Sequence, residues 1–193
     1  HLPNTLRQLM LYEAFGWEPP LFAHASLILG EDRSKLSKRH GATSVNQFME
    51  QGYLPEAMVN YLALQGWNEG NDREEYEPDE LVQAFSLERI VKSPAVFDME
   101  KLNWLNGVHL RKLDDDKLTA AGMPFLLDAY PFLKEKLERD PAWATAVLNM
   151  LRNKMTVFSE IKDRLHFLFD YEPVMDEEMK TFFTEEDHLA ACR

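Results

Sequence analysis

Apolar residues recur along this chain mostly three and four positions apart, and that spacing predicts a succession of short helices. Residues 6–15 form the first: Leu6, Leu9 and Met10 keep helical spacing, Thr5 can cap the start, and Gly16 ends it. Pro19 and Pro20 force an extended approach to residues 22–29, a short apolar run read as a buried strand. A polar loop follows over residues 30–41. Ser44 caps a short helix that runs to Gln51 and is stopped by Gly52, and Pro55 suits the first turn of the next. There Met58, Val59, Leu62, Ala63, Gly66 and Trp67 share one face.

An acidic stretch over residues 69–80 interrupts, and Pro78 opens a helix over 79–85. Asp98 caps a longer one over 99–113, with Asp114–Asp116 as a break and a further cap. Beyond Met123 the pattern is helical throughout. Residues 130–139 carry Leu133 and Leu137. A helix from Pro141 puts Trp143, Val147, Met150 and Leu151 on one face, and residues 157–169 align Phe158, Ile161, Leu165 and Leu168. These stripes are read as core. The fold class expected is mostly α: a mixed, largely helical part over residues 1–113 and an all-helical bundle over 114–193.

Charge changes this picture more than composition does. The 193 residues carry a net charge of −12, which argues against a nucleic-acid partner until its distribution is considered. Segments 69–80 and 170–187 hold −6 and −7 respectively, so the remainder sums to +1. The acidic segments read as solvated surfaces, leaving the rest able to face a polyanion. The single cysteine, Cys192, rules out an internal disulfide or a four-cysteine zinc site and fits a reducing, cytoplasmic setting. No apolar run approaches the ~20 residues of a membrane span, and no secretory signal opens the chain. The start at His1 falls inside sequence that already reads as structured, so a longer parent protein is expected.

Residues 35–41 read Lys-Leu-Ser-Lys-Arg-His-Gly, a concentration of positive charge in an acidic chain. Lys35 and Lys38 are compact charges suited to phosphate oxygens, and Arg39 adds a forked donor. The Walker A, GxSxG, HExxH and EF-hand patterns are absent. The six histidines are scattered, and no metal site is expected. On residue chemistry alone, a phosphate loop and ordinary surface charge both remain open.

The run from Leu27 to Val45, with Gly30, Lys35, Leu36, Ser37, Lys38, Arg39, His40 and Gly41, resembles the KMSKS region of class I aminoacyl-tRNA synthetases. It is most similar to that of bacterial-type glutamyl-tRNA synthetases. Three further runs in the same order support the likeness: His1 to Gly16, Tyr53-Leu-Pro-Glu-Ala-Met-Val-Asn-Tyr-Leu62, and Ser93-Pro-Ala-Val-Phe-Asp-Met-Glu-Lys-Leu-Asn-Trp-Leu-Asn-Gly107. Leu36 stands where Met or Ile is usual, and Arg39 where the terminal Ser of the motif stands.

The resemblance implies a parent enzyme that activates glutamate with ATP, with Mg2+ carried by the nucleotide, and transfers it to tRNA(Glu). It implies that Lys38 contacts the ATP phosphates, with Lys35, Leu36, Ser37 and Arg39 completing the loop. It places a stem-contact region before residue 114, with Lys101 and Arg111 as tRNA-contact candidates, and an anticodon-binding bundle after it, with Arg152 and Lys154 as candidates. Trp104 is read as core rather than as a stacking platform. A monomer without membrane association is implied. The family's HIGH motif is absent from this sequence, so the chain alone is not expected to catalyse aminoacylation. Two rivals remain: a tRNA-modifying paralogue that glutamylates queuosine, and a non-catalytic RNA-binding module.

Overall fold

Two short parallel strands tie a largely helical chain together. The structure, a computed structural model, describes residues 1–37, 39, 41 and 44–169. Helix α1 spans Leu2–Phe15, and strand β1 is Ile28–Leu29. Helices α2 (Val45–Glu50), α3 (Pro55–Leu64) and α4 (Pro78–Ala84) follow. Strand β2 (Ala95–Val96) then leads into α5 (Met99–Lys112). Helices α6 (Asp115–Ala129), α7 (Lys134–Arg139), α8 (Pro141–Leu151) and α9 (Ile161–Phe169) complete the described chain. The predominantly α class expected from spacing holds for the described residues.

The predicted strand over 22–29 contracts to its last two residues. Ile28 pairs with Ala95 and Leu29 with Val96 in parallel register, and the Phe97 amide donates to the Leu29 carbonyl at 2.8 Å. β2 offers only two residues as a partner, so the backbone of 22–27 has no ladder to join. Leu21, Phe22 and Leu27 are exposed. Helix α1 starts four residues earlier than its predicted Thr5 cap, because Pro3 fits the first turn and leaves no amide unsatisfied. None of its residues is buried, and Leu6 and Met10 are largely exposed.

The caps read from sequence form as expected. Ser44 and Gln47 make a reciprocal capping box on α2. The Asp98 carboxylate accepts the Lys101 amide at 2.9 Å and that of Asp114 accepts the Lys117 amide at 2.8 Å. The buried face of α3 differs from the predicted one. Ala57, Met58, Asn60 and Tyr61 are inside, whereas Val59 and Leu62 are exposed. The Tyr61 ring sets that orientation: it packs edge-on against Phe97 at 5.1 Å, and its hydroxyl accepts the Asp98 amide at 2.7 Å. Burial pushes the Tyr61 phenol up to about 12.

The predicted 130–139 helix opens as a 3-10 turn, Pro131–Leu133, and continues as α7. The 157–169 helix likewise opens with a 3-10 turn, Phe158–Glu160. Met150 and Leu168, placed in the predicted stripes, are exposed; Leu148 takes the buried position on α8.

Three apolar clusters organise the packing. The largest joins α6–α9 through Leu118, Leu126, Leu148, Leu151, Phe158 and Ile161, and reaches Leu54, Ala57 and Leu110. A second gathers Phe48, Tyr53, Met58, Tyr61, Phe97, Leu102 and Leu105 beneath the strand pair. A small third encloses Trp67, Tyr76 and Leu81. Each fully buried large side chain contributes about 1.5–3 kcal/mol.

One polar side chain and a pair of backbone hydrogen bonds bolt the first two clusters together. Buried Asn106 on α5 accepts the Leu54 amide at 2.8 Å and donates to the Thr156 carbonyl at 2.5 Å. The Phe158 and Ser159 amides donate to the Gly52 and Gln51 carbonyls at 3.4 and 3.3 Å. Gly52 has φ +83, and a Cβ there would stand 2.8 Å from the Phe158 backbone nitrogen. Glycine therefore supplies both the left-handed turn and the close approach.

Candidate functional site

The loop after β1 is a tight reversal rather than an open arm. The Gly30 amide donates to the Ser34 carbonyl at 2.8 Å, and the Arg33 amide to the Gly30 carbonyl at 2.9 Å. Arg33 takes a left-handed φ of 59° to close the turn. The Asp32 carboxylate accepts the Ser34 amide at 2.9 Å. Lys35 then bridges antiparallel to Leu29, and the Leu36 amide donates to the Ile28 carbonyl at 3.2 Å. Leu36 packs against the cluster under the strands. An apolar residue at this position in an otherwise polar motif is thus an anchor for the loop.

Arg39 turns back onto the loop. Its Nη2 donates to Asp32 at 3.0 Å and to the Ser34 hydroxyl at 2.6 Å. The Arg39–Asp32 pair is exposed, so it contributes at most about 1 kcal/mol and an incoming anion can displace it. Lys35 carries no ion pair among the described residues. Lys38 lies outside the described residues.

Two hollows flank this loop. One, of about 380 Å³, is lined by Gly30, Asp32, Leu36, Arg39, Phe97 and Met99. The other, of about 880 Å³, runs between the first turns of α1, residues 22–28 and Lys35. The Thr5 hydroxyl and His24 Nε2 meet there at 3.2 Å. No group of histidine, cysteine and carboxylate side chains able to hold a metal occurs among the described residues.

The candidate RNA contacts divide by their partners. Lys101 is paired with Glu74 at 2.5 Å. Arg152, only 20% exposed at its side chain, donates to Asp115 at 2.7 Å, and its Nε is buried without a partner. Arg111 and Lys154 are exposed and carry no ion pair among the described residues. Lys112 pairs with both Glu75 and Glu77, whose hydrogen bonds hold its ammonium above the usual lysine range. The acidic 69–80 segment is therefore not a freely solvated surface. It is docked along α5, with Tyr76 buried against Trp67. The other acidic segment, 170–187, and Cys192 lie outside the described residues. Trp104, read from sequence as core, is 47% exposed; its neighbours Leu102 and Leu105 supply the buried face of α5 instead.

Sequence reasoning missed the group that docks the acidic segment. The Asn60 carboxamide accepts the Tyr76 amide at 2.9 Å, meets His109 Nε2 at 3.1 Å and donates to the Glu74 carbonyl at 3.0 Å. The signal was Asn60 lying beside Ala57 and Tyr61 on a face otherwise apolar. Burial holds the His109 imidazole below its usual range. The folded state then binds fewer protons than the unfolded one, so stability present above about pH 6.5 is lost as pH falls through that region. Urea midpoints are expected to decline as pH falls below about 6.5. His109→Gln is expected to flatten that decline, and an unchanged slope would dismiss the imidazole as its source.

No helix among the described residues is long and apolar enough to cross a membrane. The chain spans about 40% of the length of the relatives it matches. It is 49% identical over its whole length to a glutamate–tRNA ligase of Heliobacterium modesticaldum, covering 40% of that protein. It is 47% identical over 93% of its length to one of Desulforamulus reducens, covering 38% of that protein. Among solved structures it resembles a glutamate tRNA ligase from Elizabethkingia meningosepticum in complex with its amino acid, at 28% identity and a TM-score of 0.69. The likeness covers 98% of this chain and 40% of that one. Residues 1–104, which include β1, the basic loop and most of the way to Gly107 on α5, match the model of the class I (E and Q) tRNA synthetase catalytic domain. The chain belongs to the class I tRNA synthetases of the glutamate and glutamine group.

Proposed function

We propose that this chain is the part of a glutamate–tRNA ligase that holds the leaving-group side of the ATP site and contacts tRNA. The observation that supports the reading is the anchored basic loop: Lys35 and Leu36 are fixed along β1, and Lys35, Leu36 and Arg39 line the two hollows. In the proposed reaction a glutamate carboxylate attacks the α-phosphorus of ATP and pyrophosphate leaves. A terminal hydroxyl of tRNA(Glu) then attacks the acyl carbonyl and AMP leaves. Lys38, together with Lys35, neutralises charge gathering on the departing phosphates, and Mg2+ would be carried by the nucleotide. Arg39 exchanges its Asp32 partner for a phosphate oxygen.

Residues 1–113 form the end of the catalytic domain with its signature loop and stem-contact region. Residues 114–193 belong to the anticodon-binding domain, whose described part is α6–α9. Lys101, Arg111, Arg152 and Lys154 are the tRNA contacts, with Arg111 and Lys154 available at once and Lys101 and Arg152 only after leaving a carboxylate. The protein acts as a cytoplasmic monomer.

The test is transfer of labelled glutamate to tRNA(Glu) in the presence of ATP. The protein encoded by the whole reading frame is expected to charge the tRNA, and the 193-residue chain is expected to bind it without charging it. Absence of charging by the whole protein would overturn the reading.

A further inference from the structure

The Asp32 carboxylate divides its two oxygens between two tasks. Oδ1 accepts the Ser34 amide at 2.9 Å, the short-range bond by which an aspartate shapes a turn. That bond helps to close the reversal in which the Gly30 amide donates to the Ser34 carbonyl at 2.8 Å. Oδ2 instead accepts Arg39 Nη2 at 3.0 Å, from seven residues further along. The same nitrogen donates to the Ser34 hydroxyl at 2.6 Å. An Nη2 group carries two hydrogens, and these two contacts engage both. A phosphate oxygen reaching that edge of the guanidinium must displace Asp32 and Ser34.

The holding side of this contact is fixed without help from Arg39. Lys35 bridges to Leu29, the Leu36 amide donates to the Ile28 carbonyl at 3.2 Å, and Leu36 packs on the cluster under the strands. Asp32 is therefore a stationary partner that stays behind when the guanidinium leaves. The pair is exposed, so it weakens binding of a competing anion by at most about fivefold.

We propose that Asp32 is a positioning residue that sets how tightly ATP binds by competing with its phosphates for Arg39. The proposal rests on the ligase reading and deepens it. A contact exchanged when ATP binds, and kept through the reaction, acts on the bound substrate and the transition state alike. Asp32 then governs KM for ATP and leaves kcat unchanged.

Transfer of labelled glutamate to tRNA(Glu) by the whole protein, measured at varied ATP, tests this. Asp32→Asn keeps an oxygen for the Ser34 amide and removes the charge that faces Arg39. It is expected to lower KM for ATP about two- to fivefold at unchanged kcat. A merely structural role in the turn would raise KM or lower kcat instead. In an Arg39→Gln background Asp32→Asn is expected to change KM little, because the group competed for is gone. Glu31→Gln removes a neighbouring charge that makes no ion pair among the described residues, and is expected to leave KM near that of the unaltered protein.

An unchanged or raised KM in Asp32→Asn would overturn the proposal. So would an equal fall in Glu31→Gln, or a fall that persists in the Arg39→Gln background. Any of these, with charging by the unaltered protein intact, would refute the role of Asp32 and spare the ligase reading. Failure of the unaltered whole protein to charge would refute both.

Discussion

Lys38→Ala, made in the whole protein, is expected to lower ATP–pyrophosphate exchange by about 10²–10³-fold, the scale of one well-placed charged donor in a reaction that builds charge. The reasoning is electrostatic. Pyrophosphate departs with more negative charge on its bridging oxygen than ATP bears there, and a fixed ammonium favours that redistribution. Arg39→Ala is expected to cost much less, because its guanidinium starts from contacts to Asp32 and Ser34 and must give them up to reach phosphate. Lys38→Arg is expected to recover only part of the rate, since a planar fork replaces a compact charge. Exchange by Lys38→Ala at the rate of the unaltered protein would remove Lys38 from the reaction.

A glycine far from phosphate is expected to matter as much to the fold. Gly52→Ala introduces a Cβ 2.7 Å from the Phe158 Cβ and 2.8 Å from its backbone nitrogen, at a φ of +83°. Neither contact is with a flexible side-chain end, so the turn itself must move. The cost is about 2–4 kcal/mol from strain and overpacking together. In a chain of this size that lowers the melting temperature by about 2–4 °C for each kcal/mol. Gly16→Ala is the control: its φ is +65°, but nothing lies within 4 Å of the added carbon, so only the backbone term of about 1–2 kcal/mol applies. Equal shifts for the two variants would show that close packing on Phe158 is not what Gly52 provides.

What could be read from the amino acids was mostly local. Ser44, Asp98 and Asp114 announced their helix starts because a capping side chain acts within three residues of itself. Pro55, Pro78 and Pro141 marked first turns for the same reason. The order of four motifs pointed to the family, and Lys35, Leu36, Ser37 and Arg39 lie on the loop that follows β1. What escaped depended on distant partners. Residues 22–27 had the composition of a strand, but strand formation needs a second backbone, and β2 supplies two residues. Val59 and Leu62 had the spacing of a buried face, but Phe97 and Asp98 chose the Tyr61 side instead. Trp104 looked like core by its apolar character alone, and only the packing of Leu102 and Leu105 shows which side of α5 is inside. Charge counting also misled, since Glu74 and Glu77 are remote in sequence from the lysines they meet.

The acidic segment docked along α5 makes those carboxylates counterions that travel with the protein. Small ions condensed on a surface are released into bulk when RNA arrives, and their release weakens as salt is added. Glu74, Glu75 and Glu77 cannot be diluted away: tethered beside Lys101 and Lys112, they compete at an effective concentration of the order of mM or higher, and added salt screens them as it screens the lysines. An anion approaching these lysines meets carboxylates already in place, and each partly exposed pair costs it at most about 1 kcal/mol to displace.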